Sequence, residues 1–287
     1  MTRSRRTFVS AGLLLMFMLA AAPTTSAVAA SNANLYYVAL GDSLSTGVQP
    51  DPNGLNRDQT TQGYADQLYA TLVLSMPQLK LQKLGCSGET TATMIAGGIC
   101  PYNGSQLAEA VSFLSAKRGS VVLVTIDLGA NDIESCGSLT GFDQACVASG
   151  FASVAANLPY ILSTLRAAAG PGVPIVAMNY YNPFVAAWLL GQAGQDLAHA
   201  SSSVVDSFNM LLGSIYSGFG VPVADVATTF HADDFTIFPP VDIPLNVVLV
   251  CQWTFMCAPP PVGPNIHPTV VGYSMISNAF LAVLPPF

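Results

Sequence analysis

The stretch Tyr36-Tyr37-Val38-Ala39-Leu40-Gly41-Asp42-Ser43-Leu44 joins an uncharged apolar run to a tight polar turn. Its first five residues predict a strand covered on both faces. The Gly-Asp-Ser that follows ends the strand and leaves a serine at its carboxyl edge. Working outward, the same rhythm repeats. Further strands are predicted over 79–84, 121–128, 173–178 and 221–226. Helices are predicted over 64–74, 106–117, 151–168, 195–216 and 269–283, with Pro159 expected to kink or split the third of them. Strands alternating with helices imply an α/β fold, a doubly wound parallel sheet with helices on both faces. Such sheets carry their sites just beyond the carboxyl ends of the strands. Only 231–264 breaks the rhythm. It is rich in proline and large apolar residues, and long ordered loops of this kind are usually functional.

The amino terminus has its own logic. Arg3, Arg5 and Arg6 precede an apolar run over 9–22, and Ala27-Val28-Ala29 offers a small-residue cleavage site. The run is short against the roughly 20 residues of a spanning helix. Residues 1–30 are therefore expected to be a removable signal peptide of a secreted protein, and 31–287 a single domain without repeats or linkers. Ser4-Arg5-Arg6-Thr7-Phe8-Val9 also fits a twin-arginine signal, leaving two export routes open.

The full chain holds nine Lys and Arg against sixteen Asp and Glu. Removing three arginines with the leader makes the rest more acidic still, which argues against nucleic-acid binding. The six cysteines, Cys86, Cys100, Cys136, Cys146, Cys251 and Cys257, fall in three close couples. Export permits disulfides, and the expected pairs are 86–100, 136–146 and 251–257. A zinc site is the alternative, but no C-x-x-C or His-x-His spacing accompanies them. Neither a metal nor a cofactor is expected, and the protein is expected to be a monomer.

Four short segments sit where the sheet should expose chemistry: Gly41-Asp42-Ser43-Leu44, Gly85-Cys86-Ser87-Gly88, Gly129-Ala130-Asn131-Asp132 and Asn265-Ile266-His267-Pro268. Each alone reads as well as a turn or a helix cap. Of three histidines, His199 falls mid-helix among Ala and Ser and is expected to be merely solvated. His231 precedes two aspartates and suits a loop contact, and His267 precedes the closing helix beside a proline.

In that order, the four segments resemble the SGNH, or GDSL, hydrolase superfamily, and most closely its secreted actinobacterial lipase and esterase branch. The resemblance spans nearly all of 31–287. It implies a flavodoxin-like sheet and hydrolysis of carboxylic esters through an acyl-enzyme. It also implies Ser43 as nucleophile, His267 as general base, and an oxyanion hole of the Ser43 amide, the Gly88 amide and the Asn131 side chain. Many relatives place an aspartate two or three residues before the histidine. Here those positions hold Asn265 and Pro264. A Ser–His dyad with the Pro264 carbonyl on the ring is the expected arrangement; a carboxylate from Asp233 or Asp234 would replace it. The Asn265 side-chain oxygen could also accept one bond from the ring. The apolar segment 235–262, with Trp253, Phe255 and Met256, suits either an acyl chain or plain core packing. The expected partner is a small-molecule or lipid ester with medium to long acyl chains, and transient contact with a lipid interface fits that class. A carbohydrate acetylesterase or phospholipase on the same fold is the rival reading. The non-enzymatic one is a lipid- or glycan-binding protein.

Overall fold

Five strands, β1 (Leu35–Gly41), β2 (Leu79–Lys83), β3 (Val121–Asp127), β4 (Ile175–Met178) and β5 (Val223–Ala224), pair in parallel in the order β2-β1-β3-β4-β5. This computed structural model describes residues 1–2, 7, 34–138 and 141–286; the expected signal peptide otherwise lies outside the described residues. Val38, Ala39 and Leu40 of β1, and Leu123, Val124 and Ile126 of β3, are all fully buried. Side chains alternate between faces along a strand, so both faces of the sheet are covered. That is the doubly wound arrangement, in flavodoxin-like strand order. Burying each branched side chain contributes about 1.5–3 kcal/mol. Winding reverses between β1 and β3, which opens a crevice at their carboxyl ends. Gly41 lies in register with Asp127 at that point.

Around the sheet lie α1 (Ser43–Thr46), α2 (Tyr64–Leu72), α3 (Thr91–Ala96), α4 (Gln106–Ala116), α5 (Gln144–Ala169), α6 (Gln192–Gly218), α7 (Leu245–Trp253) and α8 (Val270–Val283), with a further short helical turn at Val226–Thr229. Helix α2 packs on α8, with Tyr64 and Phe280 stacked at 4.8 Å. Helix α5 packs against α3, α4 and α6. It starts at Gln144 rather than 151, because Asp143 accepts from the Ala145 and Cys146 amides and caps it there. Pro159 lies inside α5 without splitting it. Leu158, Ile161, Leu162 and Leu165 are buried around the proline, and this packing outweighs the missing hydrogen bond. Strand β5 is shorter than expected. Pro222 has no N–H to donate, and Asp225 already turns to accept from the Thr228 amide.

The three disulfides are 86–100, 136–146 and 251–257, as predicted. The stretch 231–264 is more ordered than a loop. It folds as a hairpin of Ile237–Phe238 with Ile243–Pro244, then α7, then Thr254–Phe255, which pairs antiparallel with Asn265–Pro268. The 251–257 disulfide loop thus braces the backbone that carries His267.

Candidate active site

Asp42 ends β1 and starts α1, its carboxylate accepting from the Leu44 amide at 2.9 Å. Ser43 is thereby held at the first helical position, 8% exposed. Neither its N–H nor its Oγ has a partner among the described residues. The turn beneath is tightly built. The Gln106 side chain brackets Gly41, receiving from its N–H at 2.7 Å and donating to its carbonyl at 2.9 Å. The same amide donates to Glu89 Oε2 at 2.8 Å. Fully buried Asp127 receives the Asp42 and Ser45 amides on Oδ2, both at 3.2 Å, and the Tyr64 hydroxyl on Oδ1 at 2.6 Å. Burial raises the pKa of both carboxyls. Asp42, restrained by a hydrogen bond from Asp127, is pushed up to about 6. Asp127 is pushed well above the carboxylate range, the nearby Asp42 charge adding to burial.

Asn131 follows β3 and donates through Nδ2 to the Glu89 carbonyl at 3.0 Å, which fixes its amide and leaves one N–H free. Gly88 has φ +81°, and its N–H has no partner among the described residues. His267 is 8% exposed, on the segment braced by the 251–257 loop and by Tyr181, whose hydroxyl donates to the Ile266 carbonyl at 2.6 Å. Its Nδ1 lies 2.8 Å from Asn265 Oδ1, which also receives the His267 backbone N–H at 3.0 Å. A backbone N–H can donate only to the oxygen of that amide, so the Asn265 orientation is settled. Nδ1 must then carry the ring proton, and Nε2 is left as the basic nitrogen. Burial lowers the pKa of His267 to about 4.

Ser43, Asn131 and His267 line one cleft of about 750 Å³, open mouth included; Gly88 is not part of its lining. No direct hydrogen bond joins Ser43 Oγ to the ring. Phe142, Pro183, Phe184, Val204, Val205 and Phe208 make much of the remaining wall. A buried serine, an imidazole with its basic nitrogen free, and unpaired N–H donors at one sheet edge are what acyl transfer requires.

Residues 39–275 match the GDSL-like lipase/acylhydrolase family. The chain belongs to this family. It is therefore a carboxylic ester hydrolase. No curated protein matches the chain. Among solved structures, the extracellular lipase of Streptomyces rimosus is similar at 22% identity and TM-score 0.57, over 87% of this chain and all of that one. Phospholipase A1 of Streptomyces albidoflavus gives 20% identity and TM-score 0.57, over 87% and 99%. The acetyl xylan esterase Axe2 of Geobacillus stearothermophilus, as its W215I variant, gives 17% and 0.53, over 88% and 95%. All three share the fold.

The structure of this GDSL-family chain corrects several expectations. The Asn265 side chain, not the Pro264 carbonyl, stands on Nδ1 of His267. Asp234 instead faces His231 at 3.5 Å, and Asp233 lies beside Asp206. The segment 235–262 does not line the cleft; Trp253 packs edge-on against Phe230, and Phe235 lies tilted against Trp188. The apolar wall comes from 142, 183–184 and the 204–208 turn of α6, contributions that no local pattern marked. His199 is exposed but lies against Phe235 and Trp188, at 4.2 and 5.5 Å. Sequence reasoning also missed Gln106 and Asp127. A charged residue closing an otherwise apolar strand, as Asp127 does, is the one signal that could have found either.

The Asn265 geometry yields a pH prediction. A buried neutral imidazole has to remain unprotonated to act as base, so the acid limb of kcat/KM is expected near pH 4. Asn265→Asp adds a carboxylate beside the ring, favours the imidazolium, and should move that limb upward by a unit or more. A limb that stays put in this variant would show that residue 265 does not address the ring. The sign for folding is fixed too. Between pH 6.5 and about 4 the unfolded chain takes up this proton first, so stability falls as pH falls.

Proposed function

We propose that the protein is an exported esterase of 31–287, cleaving medium- to long-chain acyl esters with Ser43 as nucleophile and His267 as general base. His267 Nε2 takes the Ser43 proton as Oγ attacks the ester carbonyl, then returns it to the leaving alcohol. The resulting acyl-enzyme is hydrolysed by water activated through the same nitrogen. Asn265 accepts from Nδ1 throughout, a neutral partner that keeps the tautomer but steadies the imidazolium less than a carboxylate would. The Ser43 amide, the Gly88 amide and the free N–H of Asn131 receive the oxyanion. Three disulfides and the Ala-Val-Ala motif support export.

One observation carries the reading: Ser43, Asn131 and His267 share a cleft whose other wall is chiefly aromatic and aliphatic. Acyl chain bound there contributes roughly 0.8 kcal/mol per buried CH₂, so decanoyl esters should exceed acetyl esters in kcat/KM by well over tenfold. Equal turnover of the two by the mature protein, measured against a Ser43→Ala control, would sink the chain-length claim. Asn131→Ala should lower kcat by about 10²–10³. Only the one hydrogen bond to the Glu89 carbonyl is lost from the fold, so melting should change little. Unchanged kcat would remove Asn131 from the oxyanion hole.

A further inference from the structure

Apart from Ser43 and the Tyr180 hydroxyl, which has no hydrogen-bond partner among the described residues, most polar side chains of the cleft are engaged. Asp42 caps α1, Asn131 donates to the Glu89 carbonyl, Tyr181 donates to the Ile266 carbonyl, and His267 is bound by Asn265. Glu134 also lines the cleft, yet its carboxyl has no hydrogen bond and no ion pair among the described residues. It lies on the short helical turn Glu134–Cys136, directly after the turn that carries Asn131. The 136–146 disulfide anchors that turn, and Phe142 of the same closed loop packs edge-on against Phe184 across the wall. Burial raises the Glu134 pKa, and no Lys or Arg lines the cleft to offset it. A half-buried carboxyl without protein partners receives nothing from the fold in exchange for the water it gives up. Polar groups held at such a disadvantage inside a cleft are the ones a ligand satisfies.

We propose that Glu134 is a specificity residue that accepts a hydrogen bond from a free hydroxyl on the alcohol part of the ester, making partial esters of a polyol the preferred substrates. The inference rests on the esterase reading above. An ester without a donor fills the cleft and strips water from the carboxyl without replacing it. A site built to bind a hydroxyl rejects the analogue lacking one more sharply than an apolar pocket rejects a change in chain length. The hydroxyl is neutral, so its binding demands no counter-charge in this acidic protein.

The test compares three esters of one acyl chain: monodecanoyl glycerol, monodecanoyl glucose and ethyl decanoate. The readout is the ratio of kcat/KM for each hydroxyl-bearing ester to that for the ethyl ester. The unaltered protein should favour at least one polyol ester by about tenfold or more, and which one identifies the polyol. Glu134→Leu should bring that ratio close to one. Glu134→Gln, whose amide oxygen still accepts, should keep most of it. Glu134→Leu should also melt no lower than the parent, whereas a structural carboxyl would lower the melting temperature on removal. A ratio near one in the unaltered protein, or a ratio unmoved by Glu134→Leu, overturns the inference while esterase activity stands. If none of the three esters is cleaved in a Ser43-dependent manner, the esterase reading fails and takes this inference with it.

Discussion

Ser43→Ala is expected to lower kcat on any cleaved ester by about 10⁵- to 10⁶-fold, the loss typical when a serine hydrolase loses its nucleophile. The physical reason is that the proposed mechanism routes the acyl group through Ser43 Oγ. Asp42 is engaged in capping α1, and the Tyr181 hydroxyl is committed to the Ile266 carbonyl. The variant should fold normally, because Ser43 Oγ makes no hydrogen bond among the described residues. His267→Ala should cost nearly as much, and the double variant hardly more than either single one, since base and nucleophile act as a unit. Steady-state kinetics and covalent labelling with a fluorophosphonate probe check this together. Retention of more than about a hundredth of the activity in Ser43→Ala would assign the nucleophile elsewhere.

Gly41→Ala should damage the protein by a different route. Gly41 has φ +126°, and a Cβ there would stand 1.9 Å from the Asp127 carbonyl oxygen and 2.7 Å from its carboxyl. The obstacle is backbone at the centre of the sheet. It cannot move aside without separating β1 from β3. Gly41 is also held on both polar atoms by Gln106, and its carbonyl receives the Cys86 amide at 3.0 Å. Displacing it therefore disturbs three segments of the site at once. The expected loss exceeds about 4 kcal/mol, a large share of a domain's 5–15 kcal/mol. Insoluble expression or a melting temperature lowered by more than 10 °C would be the result. Gly88→Ala provides the contrast. Nothing lies within 4 Å of its Cβ position, so only the left-handed backbone is penalised, by about 1–2 kcal/mol. Similar melting of the two variants would show that Gly41 is not the tight point described.

How far the residues themselves speak can be judged from particular cases. The buried strands were legible because a run such as 36–40 has few alternatives: uncharged, β-branched and aromatic residues lose too much if left in water. Boundaries were less so. Asp143 moved the start of α5 back to Gln144 through a cap whose partners are the Ala145 and Cys146 amides, and caps of this kind occur in many turns that start no helix. Which apolar residues wall the cleft was left open for a related reason. Trp253 and Phe255 are as apolar as Phe142 and Phe184, and apolarity alone cannot say which of them faces a cavity and which faces a neighbouring helix.

Local chemistry, then, was enough to determine the parallel α/β architecture and the three disulfide pairs. Strand burial, turn residues and short cysteine spacings are properties of neighbours along the chain. Tertiary structure alone decided that Asn265 rather than Pro264 addresses the His267 ring, that the buried Asp127 carboxyl receives the Asp42 and Ser45 amides beneath Ser43, and that Glu134 lines the cleft unpaired. Each of those outcomes depends on which distant groups arrive within about 3 Å. Hydrogen bonds and buried charges are decided by that distance, and the order of residues does not contain it.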